Sequence, residues 1–127
     1  MQGVLVDTSV WIAHFRAGEA DLARLLDADE VLCHPLVILE VACGTPPAPR
    51  ERTLRDMRVL RQATVATFEE TLRFVERERL MDRGCGAVDV ALLAATLLTP
   101  GAVLWSTDKH LAAQAARLGV AYRPKRH

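Results

Sequence analysis

The chain has 127 residues, half of them apolar, which suits one domain built around a single core. Sixteen basic and sixteen acidic residues give a formal net charge of zero at pH 7, so the composition excludes a uniformly basic nucleic-acid-binding domain. The three cysteines are odd in number and lack metal-ligand spacing, which argues against a disulfide framework and against a zinc site.

The first third of the chain predicts short strands that alternate with helices. The segment 4–6 is apolar and mostly β-branched, which is typical of a short buried strand. Leu22, Leu25 and Leu26 have the spacing of an amphipathic helix, and Pro35 suits the first turn of another. The elements predicted here are a strand at 4–6, a helix at 8–15, a helix around 22–26, a strand at 31–33 and a helix at 35–43.

The rest of the chain continues this alternation after a stiff, proline-rich connector at 45–49. Because the connector is too short to link two domains, we expect one domain over 1–127, with a flexible tail at 123–127. The predicted elements are a helix at 50–62 with Leu54, Met57 and Leu60 inward, a strand at 65–67, a helix at 68–83 with Leu72, Val75 and Leu80 inward, a helix at 87–98, a strand at 103–105, a helix at 109–118 and an edge strand at 120–122. This order favours a three-layer α/β/α fold with a central, mostly parallel sheet of four or five strands.

The sequence also bears on where the protein works. The most apolar stretch, 87–98, contains Asp89 and is too short to span a bilayer. The start of the chain lacks the charged and apolar regions that make up a signal peptide. We therefore expect a cytoplasmic protein that has no membrane partner.

Four carboxylates stand apart from the other charges of the chain. Asp7 follows the first predicted strand and Asp108 follows the strand at 103–105, whereas Glu40 and Asp89 are isolated charges in apolar helices. A buried, ionised carboxylate costs several kcal/mol unless it is paired or bound to a metal. No lysine or arginine lies within four residues of Asp7, Glu40 or Asp89. We therefore predict that the four converge on a shared divalent cation.

The predicted topology allows this convergence. Asp7 and Asp108 both end parallel strands, and ligands collect at that edge of an open α/β sheet. Asp89 lies in the first turn of its helix, where the dipole favours an anion by about 0.3–1 kcal/mol. Glu40 is expected to be buried and to face the same edge. Oxygen ligands without histidine or cysteine favour Mg²⁺ or Mn²⁺, which could activate water for displacement at phosphorus, with Ser9 and Ser106 in supporting roles.

Each of these carboxylates also has an ordinary structural explanation. Asp7 and Asp108 could cap the helices that follow them. Asp89 could complement a helix dipole, and Glu40 could pair with a distant arginine. Four separate coincidences are less economical than one shared site.

Four blocks of sequence, in this order, resemble the PIN-domain ribonucleases and specifically the VapC toxins of type II toxin–antitoxin modules. The blocks are V-D-T-S-V-W-I at 6–12, L-E-V-A-C-G at 39–44, V-D-V-A-L-L-A-A-T at 88–96 and L-W-S-T-D at 104–108. The resemblance implies an acidic quartet at Asp7, Glu40, Asp89 and Asp108 that binds Mg²⁺ or Mn²⁺. It also implies cleavage of structured RNA such as tRNA or ribosomal RNA, a homodimer, and a cognate antitoxin that occupies the site. Ser106 stands where the family more often has threonine, and the hydroxyl is kept.

A second feature is basic. Arg52, Arg55 and Arg58 step by three along a predicted helix, where they could contact RNA phosphates or an acidic segment of an antitoxin. The same spacing is more typical of a solvated helix face.

Two other functional classes stay open at this point. Phosphatase and phosphoacceptor domains also place an aspartate at a strand end. However, dehalogenase-type enzymes need a second aspartate where this chain has Ser9, and receiver domains need an adjacent acidic pair where Asp7 stands alone. A non-catalytic PIN-like binding module is the other alternative.

Overall fold

A computed structural model describes residues 3–125. Four strands alternate with helices along this part of the chain. The elements are β1 (Gly3–Val6), α1 (Thr8–Ala17), α2 (Ala20–Asp27), β2 (Val31–Cys33), α3 (Pro35–Cys43), α4 (Arg50–Arg58), β3 (Arg61–Gln62), α5 (Phe68–Glu78), α6 (Ala87–Leu98), β4 (Ala102–Trp105) and α7 (Lys109–Arg117).

The four strands form one parallel sheet in the order β3-β2-β1-β4, flanked by the helices. Val4 pairs with Val31 on one side of β1 and with Val103 on the other. Because all strands run in the same direction, their carboxyl ends lie at the same edge. The predicted α/β fold with a mostly parallel sheet of four or five strands is therefore confirmed.

The core lies around the central strand. Val4, Leu5 and Val6 are fully buried, because β1 has a neighbouring strand on each side and helices on its faces. Leu92 and Leu93 of α6 are also fully buried. Burying each such side chain contributes roughly 1.5–3 kcal/mol, so the most apolar helix of the sequence is held tightly against the sheet.

The third strand differs from the prediction. The predicted strand at 65–67 is wrong, because the strand is Arg61–Gln62 and the preceding helix ends earlier, at Arg58. Both residues of β3 are polar and exposed at the sheet edge, so they carry no apolar pattern that could mark a strand. The backbone N–H of Ala63 still donates to the carbonyl oxygen of Cys33 (2.9 Å), whereas that of Thr64 donates to Thr99 Oγ1 (2.9 Å).

Helix α5 also differs from the prediction. It begins at a capping box formed by Thr67 and Glu70, and it ends at Glu78 because Arg79 adopts a left-handed conformation, φ +53°. The leucine spacing predicts that Leu72 faces inward, but 49% of it is exposed and Phe74 fills the core position. Val75 and Leu80 face the core as predicted, so only Leu72 departs from the prediction, and the helix packs against α6.

The last part of the described chain is tied to α2. The predicted edge strand at 120–122 is reduced to one bridge, between Leu104 and Ala121. Tyr122 Oη donates to the buried carboxylate of Asp21, and the backbone N–H of Lys125 donates to the same carboxylate at 3.4 Å. The end of the predicted tail, 126–127, lies outside the described residues. None of the helices described is long and apolar enough to cross a membrane.

Candidate active site

Two predicted site residues meet at the carboxyl edge of the sheet. β1 and β4 are neighbours, with Val6 opposite Trp105. The backbone N–H of Asp7 donates to the carbonyl oxygen of Trp105 (2.9 Å), so the pairing continues one residue past the strand. This register places Asp7 beside Ser106, and Asp108 follows two residues later.

The Asp7 carboxylate is buried and held by two hydroxyl groups. Ser9 Oγ and Ser106 Oγ donate to the same oxygen, Oδ2, at 2.8 and 2.7 Å. The two hydroxyls in turn accept from the backbone N–H groups of Thr107 and Asp108, at 3.1 and 3.0 Å. Asp7 occupies the N-cap position of α1, yet its side chain makes no capping hydrogen bond. Capping therefore does not explain why an aspartate stands here.

Glu40 lies next to this pair but is not buried. Its Oε1 accepts from Thr8 Oγ1 at 2.6 Å, and Thr8 directly follows Asp7 in the chain. The expectation of burial is wrong, because α3 buries only Val37 and Val41 and exposes the rest of its outer face, including 57% of Leu39. Although α3 is apolar on every side, the fold therefore leaves Glu40 exposed.

Asp108 is exposed and does cap a helix. Its Oδ1 accepts from the backbone N–H groups of His110 and Leu111, at 2.9 and 3.0 Å. The ordinary explanation for this carboxylate therefore holds for Oδ1. Oδ2 takes no part in the cap, so capping and a role at the sheet edge are compatible.

Asp89 is half-buried at the start of α6, and the other three carboxylates affect its pKa. Burial raises the pKa of Asp89 above its ordinary value, and the Gly86 backbone N–H, donating to Asp89 Oδ2 at 3.0 Å, partly offsets this. The negative charges of Asp7, Asp108 and Glu40 raise the pKa further. The other three carboxylates are therefore near enough for their charges to act on Asp89.

No salt bridge neutralises this charge within residues 3–125. The ion pairs in this part of the chain are Arg24–Asp21 and Arg77–Glu78, and neither involves the four carboxylates. The same residues contain no group of three acidic, histidine or cysteine side chains already gathered closely enough to hold a metal ion. The structure thus collects the quartet at one edge of the sheet without closing it into a coordination shell.

Three neighbours of the quartet were not singled out by the sequence. Thr8 binds Glu40, as described above. Burial raises the pKa of the Cys85 thiol, and the charges of Asp89 and Asp108 add to the shift. The His110 ring lies against Gly84. Thr8 could have been found from its place beside Asp7, whereas the other two depend on the fold of the loop before α6.

The arginine stripe lies on a different helix face. Arg52, Arg55 and Arg58 are exposed on α4. Arg58 also lines a shallow depression of about 430 Å³ with Ile38 and Leu39 of α3. None of the three takes part in the ion pairs described for residues 3–125. Their contact with RNA or antitoxin stays a prediction.

A larger groove opens between α1 and the end of α3. It has a volume of about 470 Å³ and an apolar lining that includes Ile12, Phe15 and Val41. Ile12 lies one helical turn beyond Thr8 on the same face of α1, and Val41 follows Glu40. The groove therefore begins one helical turn beyond Thr8 on α1, and neither Thr8 nor Glu40 lines it.

Comparison with known proteins agrees with this architecture. Residues 4–118 match the PIN domain, and the chain therefore belongs to the PIN-domain family. Within that family it groups with the VapC proteins: it is 51% identical over 118 residues to proteins named Ribonuclease VapC32 from two strains of Mycobacterium tuberculosis, CDC 1551 / Oshkosh and H37Rv. The alignment covers 93% of this chain and 94% of each relative.

A solved structure shows the same fold at greater distance. The crystal structure of PAE2754 from Pyrobaculum aerophilum aligns with a TM-score of 0.59 at 20% sequence identity. The alignment covers 93% of this chain and 90% of the other. At this identity the likeness concerns the fold alone.

Proposed function

We propose that this protein is a metal-dependent endoribonuclease and the toxin of a toxin–antitoxin pair, hydrolysing phosphodiester bonds in structured RNA. The observation that carries the proposal is a group of carboxylates without a counter-charge: the charges of Asp7, Glu40 and Asp108 act on Asp89, and no arginine or lysine forms a salt bridge with any of the four in the described chain. Such a cluster costs folding free energy unless a cation binds it. The relatives named Ribonuclease VapC32 support the same activity.

The donor chemistry of the cluster fits a divalent cation. Four carboxylates supply hard oxygen ligands and uncompensated negative charge, which suits Mg²⁺ or Mn²⁺ better than zinc. Asp7, Glu40, Asp89 and Asp108 would hold the ion after movement of their side chains, since they are not yet gathered at ligating distance. When bound, such an ion lowers the pKa of a coordinated water and stabilises charge on a phosphoryl group undergoing in-line displacement.

The chain's own residues prepare this site in a specific way. Ser9 and Ser106 fix the Asp7 carboxylate by donating to Oδ2, so Oδ1 accepts no hydrogen bond from either hydroxyl. Thr8 orients Glu40 through one carboxylate oxygen. Because these donors are already in place, little reorganisation is needed when the substrate phosphate arrives.

The alternative classes fit the geometry less well. A phosphoacceptor aspartate must be open to attack a phosphoryl group, whereas Asp7 is only 6% exposed and engaged by two hydroxyls. A non-catalytic binding module would not need four unneutralised carboxylates at one edge. Metal-dependent cleavage is the measurement that separates the nuclease from both.

RNA and an antitoxin are the proposed partners of the site. The apolar groove on α1 and α3, which begins one helical turn beyond Thr8, offers a partner contact surface near the carboxylates. An antitoxin segment that sits in this groove and continues past Thr8 would cover the site and exclude RNA. We therefore expect an equimolar antitoxin to suppress cleavage without removing the metal.

The homodimer is proposed from the family resemblance. Exposed apolar side chains, including Phe68 (74% exposed) and Val59 (76%), leave apolar surface that a second copy could cover. Light scattering at micromolar concentration should give twice the chain mass of 14.0 kDa. A mass of one chain would contradict the dimer and leave the ribonuclease proposal standing.

Cleavage assays test the function directly. Purified protein incubated with tRNA or ribosomal RNA should cleave in Mn²⁺ and not in EDTA. Asp7→Asn and Asp89→Asn should each lose roughly a hundredfold or more in rate, because each removes a charged ligand. Asp27→Asn, at an exposed acid at the end of α2, is the matched control and should keep full activity. Cleavage in EDTA, or normal rates in both site variants, would overturn the proposal.

A further inference from the structure

The charges of the chain are divided unevenly along its sequence. The zero net charge conceals a basic C-terminal end: the nineteen residues after Asp108 include five lysines and arginines and no aspartate or glutamate. A charge asymmetry of this kind is typical of chains that bind nucleic acid or carry a basic tail. The structure describes this end of the chain as far as Lys125.

The end of the described chain runs toward the carboxyl edge of the sheet. Ala121 forms a parallel bridge with Leu104 of β4. The backbone N–H of Leu104 donates to the carbonyl oxygen of Val120 (2.7 Å), and the N–H of Tyr122 donates to the carbonyl oxygen of Leu104 (2.9 Å). Because this segment is parallel to β4, the residues after Tyr122 leave the sheet at the edge where β4 leads to Asp108.

A buried carboxylate holds this segment in place. Asp21 is only 3% exposed and is paired with Arg24. Its Oδ2 also accepts from Tyr122 Oη and, at 3.4 Å, from the backbone N–H of Lys125. The Tyr122 ring lies against Trp105, the last residue of β4, with ring centroids 5.2 Å apart. The segment is therefore attached at both of its ends, at Tyr122 and at Lys125.

Two basic side chains of the attached segment are available to a partner. Arg123 and Lys125 are exposed, and neither takes part in the ion pairs formed among the described residues. Lys125 is attached through its backbone N–H, which leaves its ammonium group unused by that bond. Since the backbone is already ordered, binding through these side chains costs less conformational entropy than binding through a free tail.

We propose that the anchored basic segment, residues 123–125, is a contact surface for RNA phosphates, with Arg123 and Lys125 as the contacting side chains. The inference rests on the proposed function, because RNA is the proposed substrate. The carboxylates at the sheet edge repel a polyanion, whereas cations that leave the sheet at the same edge offset this repulsion and release counterions from RNA. Phosphate contacts carry no sequence information, so the segment supplies affinity and orientation and does not select a sequence.

Equilibrium binding of the full chain to fluorescently labelled tRNA tests the inference, in EDTA so that the RNA stays uncleaved. Arg123→Gln combined with Lys125→Gln should reduce the slope of log binding constant against log salt by about 0.7–0.9 for each lost phosphate contact. For two contacts, affinity at about 0.1 M salt should fall roughly 25-fold or more, because each 0.7 in slope is a factor of about five at that concentration. Both side chains are exposed, so we expect an unchanged Tm.

Two control variants separate a phosphate contact from other effects. Arg123→Lys combined with Lys125→Arg exchanges the two side chains and keeps both charges, so it should bind tRNA nearly as the unaltered protein does. Arg73→Gln combined with Arg77→Gln removes the same charge from exposed positions of α5. This second control should leave the affinity nearly unchanged, because exposed charges that do not contact RNA are largely screened at about 0.1 M salt.

Each outcome decides for or against the segment. Unchanged affinity and salt slope in Arg123→Gln with Lys125→Gln would overturn the inference, and so would absence of tRNA binding to the unaltered protein at low salt. Equal losses in this variant and in the α5 variant would overturn it in favour of a general effect of net charge. Cleavage of RNA in Mn²⁺ by the unaltered protein decides the proposed function separately, so the two failures are distinguishable.

Discussion

At the scale of single residues, the Asp89 carboxylate lowers the stability of the folded protein and is also a proposed metal ligand. Burial and three like charges raise the pKa of Asp89, so the folded state holds its proton more strongly than the unfolded chain does. As pH rises from the ordinary value of 3.8 through the raised folded pKa, the folded protein therefore loses stability, and the loss persists above that window.

Asp89→Asn should therefore stabilise the metal-free protein while strongly reducing the rate of cleavage. The amide oxygen can still accept from the Gly86 N–H, but the charge is gone. Thermal unfolding in EDTA should show a higher Tm for Asp89→Asn at pH 7, with the difference shrinking as pH falls below about 4. A lower Tm than that of the unaltered protein at pH 7 would contradict the unfavourable effect of burial and of the three neighbouring charges on Asp89.

Ser106 connects two backbone segments through one hydroxyl. It donates to Asp7 Oδ2 and accepts from the Asp108 N–H, so Ser106→Ala leaves a buried carboxylate oxygen with one donor fewer. We expect a decrease of about 1–3 kcal/mol in the free energy of unfolding, measured by urea denaturation. Ser106→Thr keeps the hydroxyl and is the matched control. Equal stability of the alanine and threonine variants would show that the hydroxyl contributes nothing.

At the scale of elements, the apolar pattern of the sequence predicts the buried strands and helices but not the exposed strand β3. β1, β2, α6 and β4 carry runs of apolar residues, and their predicted bounds lie within a residue or two of those observed. β3 consists of two exposed polar residues, whose pairing is set by the neighbouring strand and not by their own sequence. Strand formation there is a property of the assembled sheet.

The candidate site likewise contains features that the sequence predicts and features that it does not. Asp7 and Asp108 could be placed at one edge from strand direction alone, and Asp89 from its position in a helical first turn. The exposure of Glu40 could not be predicted, because it depends on which face of an all-apolar helix meets the sheet. The paired serine hydroxyls on Asp7 Oδ2 and the His110–Gly84 contact depend on side-chain rotamers and loop conformation, for which the sequence carries no periodic signal.

The attachment of the C-terminal segment to α2 gives a prediction at this scale. Burial alone would raise the pKa of Asp21, but hydrogen bonds from Tyr122, Arg24 and the Lys125 N–H outweigh it and lower the pKa. A lowered folded pKa contributes stability that is present above the unfolded value and disappears as pH falls through the folded one.

Tyr122→Phe should remove part of this contribution. At pH 7 we expect the free energy of unfolding to fall by about 1.5–3 kcal/mol, the range for hydrogen bonds to charged groups. The difference from the unaltered protein should diminish as pH falls below 3.8, the ordinary pKa of Asp21, because protonation weakens the same bond in both. Chemical denaturation over this pH range measures the difference. A difference that stays constant as pH falls from neutral to well below that value would contradict this assignment.

At the scale of the whole molecule, a chain without net charge must, under the proposed function, bind RNA, a polyanion, at a site formed by carboxylates. The chain carries sixteen positive charges, and those of the α4 stripe form a regular, exposed array. Counterion release on binding RNA phosphates at such an array would supply affinity that the carboxylates cannot.

If Arg52, Arg55 and Arg58 contact RNA, replacing all three by glutamine should raise KM and leave kcat unchanged. The slope of log binding constant against log salt should fall by about 0.7 for each single-strand phosphate that the variant no longer neutralises. Replacing Arg73 and Arg77, exposed on α5, by glutamine is the control. An unchanged KM and salt slope in the triple variant would show that the stripe is a solvated face.

The proposed role of Asp7, Glu40, Asp89 and Asp108, jointly holding one or two divalent cations, is tested most directly by crystallography. The measurement is a crystal structure of the protein grown with Mn²⁺, with the metal located by its anomalous scattering. We predict a manganese peak at the carboxyl edge of the sheet, with oxygens of Asp7 and Asp89 about 2.1 Å away. A structure without metal at that edge, in which the carboxylates instead pair with separate arginines, would contradict this role.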